Sequence, residues 1–458
     1  MTSSTTPARL FGTDGIRGAF GSPPLDQPTV TAVGFHLASI LKTEQSSPLV
    51  VLGGDTRDST EVLCNWLSNG LRQGGARVRY GGVMPTPAVA YSVRDLGATA
   101  GIAVSASHNP HPDNGIKLFD NQGFKWSRSR EEGIEALLHE SSFALDIEKA
   151  HSSLELDPNL CERYKKALLQ SLSTQLLGSA KPLEGLRVLL DTAQGAASFL
   201  AGPIFEDLGA QTTVLFSQPD GTNINRGCGS TDPQVLIDQM KTGSFDLGVA
   251  FDGDADRALV VDAQGELRDG DALLYLWASH LLDTGELDPA TIVATSMSNL
   301  GLEHALARRG IAIERCGVGD REVVELLRRK KLLLGGEQSG HLIHLGLSST
   351  GDGLLTALQT AAILARTGQS LADSLKDFVR FPQILLNVRV ARKEPFEKIA
   401  SIAAATREVE SSLAGQGRLV LRYSGTEPLA RVMIEGPDQQ QITELAQQLA
   451  GVIASKLG

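Results

Sequence analysis

The sequence predicts an α/β protein: three similar units, each a mixed sheet between helices, plus a smaller C-terminal α+β unit, all set around one central cleft. Three observations predict it. A strand–helix–strand pattern recurs three times; each copy is followed by an apolar strand that runs into a polar loop; and the stretch from residue 371 onward breaks the pattern. At about 150 residues per domain, a chain of 458 residues accommodates such an arrangement.

The first copy contains Leu49-Val-Val-Leu-Gly-Gly-Asp55, an amphipathic run and Ala76-Arg-Val-Arg-Tyr80. The second contains Arg187-Val-Leu-Leu-Asp191, a helical run from about Ala196 and Thr212-Thr-Val-Leu-Phe216. The third contains Thr291-Ile-Val-Ala-Thr295, a helix over about Leu300–Arg309 and Ile311-Ala-Ile-Glu-Arg315. Strand, helix and strand at this spacing read as βαβ, a parallel pair with its crossover helix packed on the sheet. The three further strands end in Ser105-Ala-Ser-His-Asn-Pro110, Asp252-Gly-Asp-Ala-Asp-Arg257 and Gly336-Glu-Gln-Ser-Gly-His341. Ligands of open α/β sheets bind beyond the carboxyl ends of strands, so three such loops in equivalent places are expected to wall one cleft. Ordinary turns favour the same residue types, but not three times in register. The C-terminal unit has strands at Pro382–Val390, Arg418–Arg422 and Ala430–Glu435 and a closing helix capped by Asp438, with Ile442, Leu445, Leu449, Val452 and Ile453 on its apolar face. It is expected to act as a lid. The expected units are 1–150, 151–257, 258–370 and 371–458.

Composition excludes several classes. Hydrophobic residues at 41% and charged residues at 21% supply real cores and rule out global disorder. The net charge of −11 argues against non-specific nucleic-acid binding, which needs surplus Lys and Arg. Cys64, Cys161, Cys228 and Cys316 form no CxxC pair, so neither a zinc site nor a disulfide framework is expected. The start has no apolar h-region and no run approaches 18 apolar residues. A cytoplasmic protein without a membrane segment is the expectation.

Asp252, Asp254 and Asp256 place three carboxylates at alternate positions, an unfavourable crowding unless a cation or a helix N-terminus offsets it. An EF-hand fails: Arg257 stands at the sixth loop position and Ala263 at the twelfth, where Gly and a bidentate Glu are required. Mg2+, one per chain, suits a few carboxylates plus a phosphate oxygen; a structural Asp turn is the alternative. The Ser105–Pro110 loop lacks the G-x-S-x-G pattern of a hydrolase elbow. A serine facing a metal site can instead accept and donate a phosphoryl group. His108 is an acid/base or merely orients the loop, and Lys117 can reach the same cleft. Gly336–His341 combines groups that match vicinal sugar hydroxyls, or forms a helix-capping turn. Arg422-Tyr-Ser-Gly-Thr-Glu-Pro428, with Arg431 beyond it, has the hydroxyls, freed N–H groups and guanidiniums that a phosphate needs. No GxxxxGK[ST] or GxGxxG is present, which argues against nucleotide use. Arg17 stands in Phe11-Gly-Thr-Asp-Gly-Ile-Arg-Gly18, either a phosphoryl partner or part of a glycine-rich turn. The basic run Arg328–Lys331 reads as a solvated helix end.

Taken together, Phe11–Gly18, Ser105–Pro110, Asp252–Arg257, Gly336–His341 and Arg422–Pro428 resemble the five signature segments of the α-D-phosphohexomutase superfamily, in its order and over nearly the whole chain. The wording of the first, second and fourth, with Asn223–Asp232 and Phe381–Val388, is similar to its bacterial phosphoglucosamine mutase branch. The resemblance implies that Ser107 carries the phosphoryl group and that Asp252, Asp254 and Asp256 bind Mg2+ together with it. It implies that Arg17 and Lys117 flank the phosphoserine, with Lys117 a general-base candidate, and that Arg257 sits beside the metal loop. Glu337 and Ser339 would hold sugar hydroxyls and His341 would lie near the reacting end. Arg422, Ser424, Gly425, Thr426 and Arg431 would clamp the non-reacting phosphate. Tyr423, Glu322 and the His111-Pro112 pair depart from the common pattern without removing a catalytic group.

The expected reaction is the interconversion of glucosamine 6-phosphate and glucosamine 1-phosphate through a glucosamine or glucose 1,6-bisphosphate, feeding amino-sugar nucleotide and cell-wall synthesis. Its partner is a small sugar phosphate, with no nucleic acid or membrane, and the protein is a monomer or homodimer. The rivals are the same chemistry on glucose or mannose phosphates, a metal phosphatase with a serine nucleophile, and a non-catalytic sugar-phosphate sensor.

Overall fold

The computed structural model describes residues 9–140, 154–173, 181–424 and 427–458. The first unit comprises β1 (Ile16–Ala19), α1 (Gln27–Glu44), β2 (Leu49–Gly54), α2 (Thr60–Gln73), β3 (Arg77–Val83), α3 (Thr86–Leu96), β4 (Ala100–Val104), β5 (Asp113–Phe119) and α4 (Arg128–Glu140). The second comprises α5 (Asn159–Ser173), β6 (Arg187–Asp191), α6 (Ala201–Asp207), β7 (Gln211–Leu215), α7 (Gln234–Thr242), β8 (Leu247–Phe251), β9 (Ala258–Asp262) and β10 (Leu267–Arg268). The third comprises α8 (Gly270–Asp283), β11 (Thr291–Thr295), α9 (Leu300–Arg308), β12 (Ala312–Cys316), α10 (Asp320–Lys330), β13 (Leu334–Gly336), β14 (Leu342–His344), α11 (Gly353–Thr367) and α12 (Leu371–Ser374).

The repeat seen in the sequence is a repeat of topology. The sheets run β3-β2-β4-β5, β7-β6-β8-β9 and β12-β11-β13-β14, with β1 and β10 added at the edges of the first two. In each, the central strand pairs in parallel with two neighbours, and the third strand turns back antiparallel into the fourth. β4 and β8 are buried along their whole length, as short apolar strands covered on both faces must be. The three polar loops are thus the same loop in each unit, between the third and fourth strands.

Two expectations about the units need correction. A boundary after residue 257 falls inside the second sheet, because β9 pairs with β8 over Ala258–Asp262 and β10 extends the sheet to Arg268. A boundary at 371 divides a core, because Leu371, Leu375 and Phe378 pack into the apolar cluster shared by the first three units. The helix expected from about Ala196 begins at Ala201; residue 196 instead donates its N–H to Gly253 O at 2.8 Å, tying this stretch to the Asp loop.

Helices α8 and α11 are buried residue after residue, Gly270–Leu281 and Gly353–Leu364, which is the mark of helices at the centre of a large core. Among the described residues, no helix is long and apolar enough to cross a membrane. The C-terminal unit is an antiparallel sheet, ordered β15 (Gln383–Arg389), β17 (Leu429–Glu435) and β16 (Arg418–Tyr423), covered by α13 (Ala400–Leu413) and α14 (Gln439–Leu457). Asp438 caps α14 by accepting from Gln440 and Gln441 N–H. Its apolar core is separate. It meets the third unit through Glu435, which is fully buried, pairs with Arg418 at 2.6 Å, and accepts from Leu300 N at 3.2 Å and Asn299 Nδ2 at 3.1 Å.

Asp352 ties the second unit to the third. It caps α11 by accepting from Leu355 N at 2.9 Å and accepts from the Tyr164 hydroxyl of α5 at 2.8 Å. Burial raises its pKa to about 6. With the folded-state value above the unfolded one, the folded protein holds the proton longer, so this group's contribution to stability falls as pH rises from about 4 to 6. Asp352→Asn removes that dependence. The stability of the variant relative to wild type should therefore improve by about 2 kcal/mol between pH 4 and pH 7.5 in urea unfolding.

Candidate active site

The serine loop is built on backbone that few residues tolerate. Ser107 has φ 54°, in the left-handed region, and is completely buried. Its N–H donates to Ser105 Oγ at 2.9 Å, and the Ser105 hydroxyl donates to Asp55 Oδ2 at 2.6 Å. Asp55 also pairs with Arg57 at 2.9 Å, both side chains buried, and Arg57 donates to Asn109 O at 2.9 Å and Pro110 O at 2.5 Å. Such a brace can hold a strained turn, since charge-assisted hydrogen bonds contribute about 1.5–3 kcal/mol each against about 1–3 kcal/mol for one strained residue.

The Ser107 hydroxyl donates to Asp252 Oδ2 at 2.5 Å. Asp252, Asp254 and Asp256 each offer an oxygen, all within 4.8 Å of one another, and all three side chains are buried. Alternation and the left-handed turn at Ala255 (φ 55°) turn the carboxylates inward. Lys117 lies on β5, and its Nζ donates to Asp254 Oδ2 at 2.7 Å and Asp256 Oδ2 at 3.1 Å. Thr86 Oγ1, at the start of α3, donates to Asp254 Oδ2 at 2.5 Å.

Charges in this pocket are set by burial against neighbours. Burial, then Asp256 and Asp254, push Asp252 well above the usual carboxylate range. Burial would raise Asp256 as well, but Lys117, His341 and Arg257 outweigh it and hold it low. The Lys117 ammonium, disfavoured by burial, is held protonated by Asp14, Asp254 and Asp256. Among the described residues no hydrogen bond reaches Asp254 Oδ1 or Asp256 Oδ1, although both are buried. Two orphaned carboxylate oxygens beside a third carboxylate form a donor set fit for a hard divalent cation.

His108 Nδ1 lies 3.5 Å from Ser107 Oγ and 3.3 Å from an Arg257 guanidinium nitrogen. Burial, Arg257 and Arg17 lower its pKa, so the ring is neutral near pH 7. Arg17 reaches Ala106 O and Asn109 Oδ1, each at 3.1 Å, and pairs with Asp14 at 2.8 Å. His341 closes the other side: Nδ1 lies 3.6 Å from Asp256 Oδ1, while Nε2 accepts the Gly351 N–H at 3.0 Å. The surrounding carboxylates, Asp256 first, raise its pKa against the effect of burial. Glu337 accepts the Gly319 N–H at 3.0 Å, and Ser339 is exposed.

The structure thus brings Arg17, Ser107, His108, Lys117, Arg257 and His341 around the Asp triad, with Glu337 on the same loop as His341. Among the described residues, the Arg422–Pro428 loop makes its contacts within the C-terminal unit. Arg431 pairs with Glu427 at 3.0 Å and reaches Ser424 Oγ at 3.5 Å, while Lys393 donates to Ser424 O at 2.6 Å. Gly425 and Thr426 lie outside the described residues. Arg422 and Arg431 stand directly opposite on β16 and β17; like charges so placed repel unless an anion lies between them.

Several residues of the cleft escaped the motif reading. Asp14 sits within the quoted Phe11–Gly18 segment and faces Lys117 at 3.6 Å. Lys125 bridges Asp14 of the first unit and Asp320 of the third. Thr86, Lys125 and Asp320 carry no local sequence signal, because only packing places them here.

Family models agree with this geometry. Those described as phosphoglucomutase/phosphomannomutase α/β/α domains I, II and III match residues 8–145, 162–265 and 269–381, and the C-terminal domain model matches 385–452. A phosphoglucosamine mutase of Deinococcus deserti is 44% identical over 98% of this chain and 98% of its own. The chain belongs to the phosphoglucosamine mutases of the phosphohexomutase superfamily. Another member, from Alkalilimnicola ehrlichii, is 42% identical over 97% of this chain and 96% of its own. The fold is shared with a phosphoglucomutase/phosphomannomutase family protein of Burkholderia thailandensis (TM-score 0.79, 22% identity, 98% and 97% of the two chains). It is also shared with an Aspergillus fumigatus N-acetylphosphoglucosamine mutase, solved in complex with GlcNAc-6P and magnesium (TM-score 0.67, 17% identity, 97% and 95%).

Occupation of the carboxylate site should stabilise the fold. Adding Mg2+ to EDTA-treated protein is expected to raise the melting temperature, by the equivalent of about 2.7 kcal/mol at roughly 100 times Kd. Asp254→Asn should abolish the shift.

Proposed function

We propose that the protein interconverts glucosamine 6-phosphate and glucosamine 1-phosphate in the cytoplasm, using Ser107 as phosphoryl carrier. The observation that carries this is the buried Ser107 hydroxyl, 2.5 Å from Asp252 and inside a three-carboxylate cluster with two orphaned oxygens. Asp252, Asp254 and Asp256 would hold one Mg2+ with the phosphoserine. When bound, the ion supplies charge neutralisation for the transferring phosphoryl group.

The sugar O1 hydroxyl attacks the phosphorus of phospho-Ser107: the P–O1 bond forms, the P–Oγ bond breaks, and the hydroxyl proton passes to a base. The product is a 1,6-bisphosphate. After the sugar turns end for end, Ser107 Oγ takes the 6-phosphoryl group and O6 regains a proton. Lys117 and Arg17, which share Asp14, are cations that would meet charge on the equatorial oxygens. Lys117, expected from the resemblance to be a general-base candidate, donates to Asp254 and Asp256, and His108 Nδ1 lies 3.5 Å from Ser107 Oγ; these are the two candidates for the base. Glu337, Ser339 and His341 line the sugar subsite. Arg422, Ser424 and Arg431, with Gly425 and Thr426, hold the phosphate not being transferred. The separate core of the C-terminal unit suits it to open for the turn.

Phosphorus NMR tests this reading directly. With Mg2+ and a trace of hexose 1,6-bisphosphate, glucosamine 6-phosphate should yield a 1-phosphate signal faster than glucose or mannose 6-phosphate does. Ser107→Ala should reduce turnover by at least about three orders of magnitude. Release of inorganic phosphate alone would mean a hydrolase, and binding without turnover a sensor. Removing one guanidinium from the phosphate clamp forfeits a charge-assisted pair worth about 1.5–3 kcal/mol, so Arg431→Ala should lower kcat/KM about 10- to 100-fold, with Ser107 phosphorylation by the bisphosphate measured in parallel by mass spectrometry.

A further inference from the structure

The Asn223–Asp232 segment has no part in the reaction as described, yet the fold carries its Asn225 onto the back of the serine loop. Asn225 Nδ2 donates to Ser107 O at 2.9 Å and to Asn109 O at 3.0 Å. Arg57 donates to the same two carbonyls, at 3.3 and 2.9 Å. The two donors come from different units: Arg57 from the first, which owns the serine, and Asn225 from the second, which owns the Asp loop.

Asn225 is itself committed to this position. Its φ is 58°, a conformation that Asn tolerates better than most side chains, and its N–H donates to Ala193 O at 2.9 Å. The Asp loop bears on the same spot. A Cβ on Gly253, between Asp252 and Asp254, would come 2.6 Å from Ser107 O and 2.9 Å from Asn225 Nδ2. The carbonyl of the reacting serine is therefore pinned by one donor from its own unit and one from the metal-loop unit, and it abuts the metal loop's backbone. Rotation of that peptide would change ψ at Ser107 and φ at His108, and so shift the loop that carries Oγ relative to Asp252.

We infer that Asn225 is a positioning residue for phosphoryl transfer: it ties the Ser107–Asn109 backbone to the unit bearing Asp252, Asp254 and Asp256, so serine and carboxylates keep one register through the cycle. The inference rests on the mutase reading above. A displacement of about 1 Å at a reacting atom can cost about 100-fold in rate, so the effect belongs in kcat.

Two substitutions separate the amide from its backbone. Asn225→Gly keeps the left-handed conformation at no steric cost and removes the donor; Asn225→Asp keeps the shape but turns carboxylate oxygens against two carbonyls. Both are expected to lower kcat for glucosamine 6-phosphate by about 10- to 100-fold, Asp the more severely. KM should be no higher than wild type, phosphorylation of Ser107 by hexose 1,6-bisphosphate slower, and the melting temperature within about 4 °C. Wild-type kcat in Asn225→Gly would overturn the inference. So would a loss accompanied in both variants by a raised KM and a lowered melting temperature, which marks a merely structural role. Wild-type protein without mutase turnover would instead sink the mutase reading, and this inference with it.

Discussion

Three aspartates buried at the end of one strand are the constraint on which the rest of this structure turns. Asp252, Asp254 and Asp256 lie within 4.8 Å of one another, and like charges in a low-dielectric setting cannot all ionise unaided. Every unit of the α/β body supplies something to offset them. The first sends Lys117 and Thr86, the second supplies Arg257 from the loop itself, and the third sends His341. Such a preset array suits a cation, because electrostatic stabilisation gains most where the surrounding charges need no rearrangement.

Strain is concentrated at the same place. Ser107, Ala193, Gln194, Asn225 and Ala255 all adopt positive φ without being glycine, and each belongs to a loop that meets the serine or the carboxylates. Such conformations persist only where surrounding contacts over-determine them. Here the Asp55–Arg57 pair and the hydrogen bonds to the Ser107, Asn109 and Pro110 carbonyls do so. The C-terminal unit, with a core of its own and a polar junction centred on Glu435, Arg418 and Asn299, is built differently. It sets Arg422 opposite Arg431, whose guanidinium pairs with Glu427.

Much of this was legible in the amino-acid sequence, for identifiable reasons. Strand–helix–strand periodicity is a local signal, and its threefold recurrence revealed both the repeat and the equivalence of the three loops. Loop chemistry is local too, so the serine loop, the aspartates and the Gly336–His341 loop stood out by residue type and spacing, while Ser107 was singled out by the resemblance. Less legible were the short return strands. Asn114-Gly-Ile-Lys117 lacks a long apolar run, and it is pairing with β4 that makes Lys117 part of β5. The unit limits near 257 and 371 failed for the same reason: β9 and Leu371 belong where their partners are, across a distance that composition does not record.

The sequence by itself determined the architecture, the chemical type of each loop and the family, because periodicity, turn residues and motif spacing are written along the chain. Only the tertiary structure decided which atoms meet. Thr86 on Asp254, Lys125 between Asp14 and Asp320, and Asn225 on the Ser107 carbonyl join residues up to about two hundred positions apart. Hydrogen bonds and ion pairs depend on distances of a few ångströms, and packing alone sets those.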